Sequence, residues 1–386
     1  MRITDSILYV GVNDHDIDLF EGQYPMHDGI SYNSYLILDE KTALMDSVDA
    51  AKTQEWLTNV EKALNGRTPD YLIVQHLEPD HGGSLLAVCE KYPEMKLVMS
   101  AKALGMLPQF GFGALAARAA AVKENDTLSL GGHTLRFMMA PMVHWPEVMT
   151  TYEESEKVFF SADAFGKFGA LDEDDGEPWV NEAREYYINI VGKYGGPVQT
   201  LLKKASALKI NVICPLHGPV LNENLGYYLD KYNTWSTYAP EENGVLIAFG
   251  SLHGNTGKAA KALAEMLKEK GEKVEVCDLS RNHMSEAVAD AFRFDKLVLA
   301  SPTYDGGIFP FVEAFISHLK AKAYQKRKVG FIENGSWAPM AAKQMKAMLE
   351  GCKELAFCDT VVTVKSTLNG QSEAQLQALA QELLRE

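Results

Sequence analysis

No Cys-x-x-Cys pair occurs in the 386 residues, and Cys89, Cys214, Cys277, Cys352 and Cys358 stand far apart. That spacing excludes an iron–sulfur cluster or a rubredoxin-like iron held by the chain's own thiols. It fits reduced cytosolic cysteines that fill core space. No apolar run approaches the ~20 residues a bilayer crossing needs. The start, Met1-Arg2-Ile3-Thr4-Asp5, lacks the basic-then-apolar pattern of a secretion signal. A cytoplasmic protein with no membrane partner is expected. Basic residues are outnumbered, giving a net charge of −15. This argues against a nucleic-acid surface, because phosphate backbones need clustered Lys and Arg. Neither a Walker signature nor Gly-x-Gly-x-x-Gly is present, so a nucleoside triphosphate or dinucleotide is not the expected ligand.

Two domains are expected from the length and from a change of pattern near residue 244. Residues 1–240 read as short strands and hairpins with intervening helices. Ser6–Val12, Tyr32–Asp39 and Thr42–Asp46 are rich in β-branched and aromatic residues, and Gly131-Gly132 suits a hairpin turn. A mixed sheet sandwich with outer helices accounts for this order. A last helix, Tyr228–Thr237, leads to a linker over 238–244. From 244 to 386 the pattern is regular. Strands at 245–249, 273–277, 297–300, 329–332 and 360–364 alternate with helices at 256–270, 310–322, 338–353 and 372–385, which indicates a doubly wound parallel sheet.

Four strands of the first domain end beside imidazole or carboxylate side chains. Tyr71–Val74 precedes His76-Leu77-Glu78-Pro79-Asp80-His81, and Leu135–Met139 precedes His144. Val158–Phe160 precedes Asp163, and Ile210–Ile213 precedes His217. Pro79 and Gly82-Gly83 mark the densest of these stretches as a loop. Strands lying side by side would bring these ends together into a pocket of nitrogen and oxygen donors without thiolate, suited to a pair of first-row metals of intermediate hardness.

Three loops stand out in the second domain, each between a strand and a helix. Ser251, His253, Gly254, Asn255 and Thr256 combine hydroxyls, a glycine and backbone N–H groups at a helix N-terminus, an anion cradle sized for a single phosphate. Ser251 or Thr256 acting as an ordinary helix cap is the simpler alternative. Ser301, Pro302, Thr303, Tyr304, Asp305 and Gly306 follow the third strand, and Asn334, Gly335, Ser336, Trp337 and Ala338 follow the fourth. Both loops fall at the carboxyl edge of the sheet, where such folds bind ligands. Tyr304 and Trp337 are placed to cover a flat heteroaromatic ring.

Taken in order, His-x-Glu-x-Asp-His, His-Trp-Pro, Ser-Ala-Asp and Leu-His-Gly-Pro make the chain resemble a flavodiiron protein, or A-type flavoprotein. The resemblance spans both domains. It implies a metallo-β-lactamase-like αββα sandwich followed by a flavodoxin-like five-stranded parallel sheet binding FMN. It further implies that His76, Glu78 and His144 hold one of two iron ions, that Asp80, His81 and His217 hold the other, and that Asp163 bridges them. His81 either ligates or hydrogen-bonds to a ligand. Hydrolases of this fold carry His where Glu78 stands, and a carboxylate there favours iron over zinc. The family's flavin loop more often carries Asn at the place of Asp305. The implied activity is reduction of dioxygen to water, of nitric oxide to nitrous oxide, or both, with electrons passed from an external carrier, a rubredoxin, through FMN to the irons. A head-to-tail homodimer or a dimer of dimers is implied as well. The alternatives are a dinuclear metallohydrolase with an attached flavodoxin-like domain, and an electron carrier without its own catalysis.

Overall fold

The computed structural model describes residues 1–173, 176 and 178–385. It divides into two compact units, Met1–Asn233 and Thr234–Glu386.

In the first unit, Ile7–Tyr9, Tyr35–Ile37, Ala43–Met45, Tyr71–Val74, Lys96–Ser100 and Ala119–Val122 form a six-stranded sheet in chain order. Thr127–Ser129, Thr134–Met139, Met149–Glu153, Val158–Phe160 and Val212–Cys214 form a second sheet of five. The period-two rule of a strand explains how they stack. Tyr35, Ile37, Ala43, Met45 and Ile73 share a buried cluster with Leu135, Phe137, Met149, Val158 and Phe160 of the second sheet. The alternate residues Leu36, Leu44, Leu72 and Leu97 are paired in register across the first sheet and are fully buried too. A sheet apolar on both faces needs an outer layer, and helix Thr53–Leu64 contributes buried Trp56, Leu57, Val60 and Leu64.

Two strands expected as continuous are broken. Ser6–Val12 becomes Ile7–Tyr9 and Val12–Asp14. The break falls at Gly11, where a Cβ would lie 2.4 Å from the Tyr32 carbonyl and 2.7 Å from the Tyr9 hydroxyl. Tyr32–Asp39 likewise becomes Ile30–Tyr32 and Tyr35–Ile37, leaving Asn33 and Ser34 to turn the chain. The Gly131-Gly132 hairpin forms as expected, with Leu130 N–H donating to the His133 carbonyl at 2.9 Å.

The second unit is a sheet of parallel strands, β1 (Glu242–Phe249), β2 (Val274–Asp278), β3 (Phe294–Tyr304), β4 (Lys328–Asn334) and β5 (Ala356–Val364), ordered β2-β1-β3-β4-β5. The order reverses between β1 and β3, which opens a crevice at their carboxyl ends. The expected linker is shorter than its composition suggests. Glu242 already pairs with Phe294, and its carboxylate binds Arg293 at 2.7 Å and also Lys273. Gly244 lies inside the strand, and a Cβ there would meet the Phe294 ring at 2.7 Å. A helix absent from the sequence reading, Met284–Arg293, buries Ala287, Val288, Ala291 and Phe292. The last helix, Gly370–Leu383, is started by an Asn369–Ser372 capping box. No helix among the described residues is long and apolar enough to cross a membrane.

Candidate functional site

The stretch after Tyr71–Val74 is anchored by Asp46 at the end of the neighbouring strand. Asp46 accepts the backbone N–H groups of Gln75 at 2.7 Å and His76 at 3.3 Å, and the Gln75 amide at 2.9 Å. The following residues are not the open loop expected. Pro79–Gly82 closes one helical turn, with Pro79 in the first turn, where its missing N–H is tolerated. Gly83 N–H donates to Pro79 O at 2.7 Å. The turn sets Asp80 and His81 on the same side as the other strand-end donors, and all seven predicted metal residues fall into two adjoining groups: His76, Glu78, His144 and Asp163, and Asp80, His81 and His217.

Asp163 spans the groups. Its Oδ2 lies 3.2 Å from His76 Nε2 and 3.3 Å from His144 Nε2, while Oδ1 lies 3.2 Å from His81 Nε2. Glu78 Oε2 is 3.2 Å from His76 Nε2 and 2.8 Å from His144 Nε2. Asp80 Oδ2 is 3.2 Å from both His81 Nε2 and His217 Nε2. Two donors each about 2.1 Å from one ion, at roughly octahedral to tetrahedral angles, stand about 3.0–3.4 Å apart. Six of the seven contacts match that edge length.

Hydrogen bonding accounts for only part of the arrangement, the contacts of Glu78 with His76 and His144. Both carboxylate oxygens of Asp80 and Asp163 and the Nε2 of His81 that faces them are buried without a hydrogen-bond partner, a costly condition unless a cation satisfies them. Electrostatics agrees. Burial works against charge on His76, yet Asp163, Glu147 and Glu78 raise its pKa well above the ordinary imidazole value. His144 is raised to about 9 against the same burial by Asp163 and Glu78. Despite complete burial, Asp163 is held well below the usual carboxylate range by His76, His144 and His81. The carboxylates demand positive charge at this centre, and metal cations supply it in place of ring protons.

In the second unit a cavity of about 550 Å³ opens at the β1/β3 reversal, a volume ordinary for a cofactor site. It is lined by His253, Asn255, Thr256, Pro302, Thr303, Asp305, Gly306 and the whole run Asn334–Ala338. Helix Asn255–Lys268 begins there from Gly254, at φ 89°; Ser251 caps its third amide, that of Gly257, and the Asn255 and Thr256 amides stay open. Open amides at a helix N-terminus suit a phosphate. Ser251, Gly254, Ser301 and Tyr304 do not line the cavity. The Ser251 hydroxyl accepts the Gly257 N–H at 3.3 Å. Ser301 is fully buried and its hydroxyl is taken by Phe309 N–H and Pro302 O. Tyr304 packs edge-on to Phe309 with ring centroids 5.9 Å apart.

Residues 30–218 match the ODP family beta lactamase and residues 246–356 a flavodoxin domain. The rubredoxin-oxygen oxidoreductase of Megalodesulfovibrio gigas is 31% identical, with 100% of this chain and 97% of that protein aligned. The chain belongs to the flavodiiron protein family. A nitric oxide reductase of Moorella thermoacetica is 29% identical over 96% of this chain and 94% of that protein. The crystal structure of the flavodiiron protein from Giardia intestinalis superposes with a TM-score of 0.91 at 25% identity, covering 99% of this chain and 95% of that one.

Several residues of this flavodiiron chain carry the site without standing out in the sequence. Asp46 and Glu147 support the metal centre from behind. Leu252, Met340 and Ser366 join the flavin cavity wall. Ser366 is brought there by Asn334, whose side chain bonds its backbone N–H and carbonyl, each at 3.1 Å. Asp46 alone had a visible signal, a carboxylate ending a strand next to the richest donor loop.

Proposed function

We propose that the protein reduces dioxygen to water, nitric oxide to nitrous oxide, or both, using electrons from a separate rubredoxin-type carrier. The observation that carries this reading is Asp163, one buried carboxylate presenting an oxygen to each of two donor groups. His76, Glu78 and His144 would hold one iron, Asp80, His81 and His217 the other, and Asp163 both. His81 fits a ligand, since its Nε2 faces Asp80 and Asp163 and has no hydrogen-bond partner. Asn255 and Thr256 amides would take the FMN phosphate, with Asp305, Gly306 and Asn334–Ala338 around the ring. When bound, FMN supplies an entry point and store for electrons, and the iron pair supplies electrons and open positions for the gas. The hydrolase alternative is disfavoured by Glu78, since three carboxylates among seven donors suit redox-active iron better than zinc.

Three residue-level features bear on the wider reading. All five cysteines are free and four are buried, in keeping with a reducing cytoplasm. Leu252, Met340 and the 92%-exposed Trp337 leave an apolar rim at the cavity mouth, which favours cover by a second copy in a head-to-tail homodimer. Asp305 sits in the cavity wall at φ 48°. Its anionic side chain disfavours an anionic reduced flavin, so Asp305→Asn is expected to raise the flavin midpoint potential; a redox titration showing no rise refutes that role. The function itself is tested by mixing protein fully reduced under anaerobic conditions with each gas in turn. Rapid reoxidation by at least one, with water or nitrous oxide as product, is expected. Reoxidation by neither excludes the reading.

A further inference from the structure

Glu147 is the carboxylate that meets the far ring nitrogen of an imidazole of the metal centre. Its Oε1 accepts from His76 Nδ1 at 2.8 Å and from Leu77 N–H at 3.0 Å. The side chain has no exposure. The backbone of the same residue is fixed too, because its carbonyl accepts the Ser100 hydroxyl at 2.7 Å. His76 is thereby locked with Nε2 turned toward Glu78 and Asp163.

The second donor group has no such support. His217 Nδ1 donates to a neutral acceptor, the Ser31 carbonyl, at 2.8 Å. His81 Nδ1 is buried without a hydrogen-bond partner. Counting charge around each half, His76 and His144 stand with Glu78, a share of Asp163 and Glu147 behind, whereas His81 and His217 stand with Asp80 and a share of Asp163. Glu147 adds a negative charge bonded to an imidazole of the first half alone, while Asp46, which accepts the His76 N–H and acts on the His81 ring, is shared between the halves. A carboxylate accepting the far N–H of a ligating imidazole raises the donor strength of the near nitrogen and fixes its orientation. Extra negative charge also favours the more highly charged ion.

We propose that Glu147 is a positioning residue that makes the two iron positions unequal, so that the iron held by His76, Glu78 and His144 has the lower midpoint potential and is the one held more tightly when oxidised. This rests on the diiron reading above. It goes further by assigning the inequality to one residue outside the ligand set.

Glu147→Gln keeps the acceptor and the shape while removing the charge. The variant is expected to retain two irons per chain. In a spectroscopic redox titration the lower of the two iron potentials should move upward, while the upper iron potential and the flavin potential stay where they are. Glu147→Ala removes the acceptor as well and is expected to weaken retention of one iron by about 10–100-fold in competition with a chelator, with Glu147→Gln restoring most of it. Unchanged iron potentials in Glu147→Gln, or an equal shift of both, overturn the proposal while leaving the diiron reading intact. A wild-type chain that takes up no iron pair overturns both.

Discussion

Asp163→Ala is expected to reduce gas reduction by more than about 100-fold while the protein keeps its yellow flavin spectrum. Residues that merely support a metal ligand cost about 10–100-fold in metal affinity when removed, and Asp163 faces both donor groups directly. Its loss withdraws the one side chain common to both, leaving His76 and His144 with Glu78 alone and His81 with Asp80 alone. The flavin cavity draws no residue from this region, so FMN content should not change. Iron content and turnover measured on the same preparation check this, and full activity with two irons retained refutes the bridging role.

Gly83→Ala should damage the centre without touching a donor atom. A Cβ at position 83 would lie 2.5 Å from the Pro79 carbonyl oxygen and 2.7 Å from the Ala50 nitrogen, both of them backbone. Neither can rotate aside. Overpacking of this kind costs about 1–3 kcal/mol, and the strain falls on the single turn that carries Asp80 and His81. The expected result is a lower melting temperature together with loss of iron from the Asp80, His81 and His217 group. Thermal unfolding and metal analysis read the two effects separately. A variant with unaltered melting and two tightly held irons would show that the turn does not depend on this contact.

The donor set was legible because each member follows a short, largely apolar strand, and a cluster of charged and imidazole side chains at such ends points to a site. Asp163 after Val158–Phe160 is the clearest case. The parallel sheet of the second unit was legible from the regular spacing of its strands, and its order then places the cavity. What the sequence hid depends on distant partners. Glu147 looks like any loop carboxylate until His76, 71 positions earlier in the chain, is seen against it. Ser366 enters the flavin cavity only because Asn334 holds its backbone. The helical turn at Pro79 was masked by the very residues, Pro and paired Gly, that usually signal a loop. Ser301 and Tyr304 sit in the same ligand-facing stretch but outside the cavity lining: the Ser301 hydroxyl is taken by Phe309 N–H and Pro302 O, and the Tyr304 ring packs edge-on to Phe309.

The most direct test is metal and flavin analysis of the protein purified from cells supplied with both iron and zinc. Two irons and one FMN per chain are expected, since buried carboxylates and imidazoles without thiolate favour iron and the open helix N-terminus holds a phosphate. Zinc in both positions, or a chain that binds no flavin, would contradict the account.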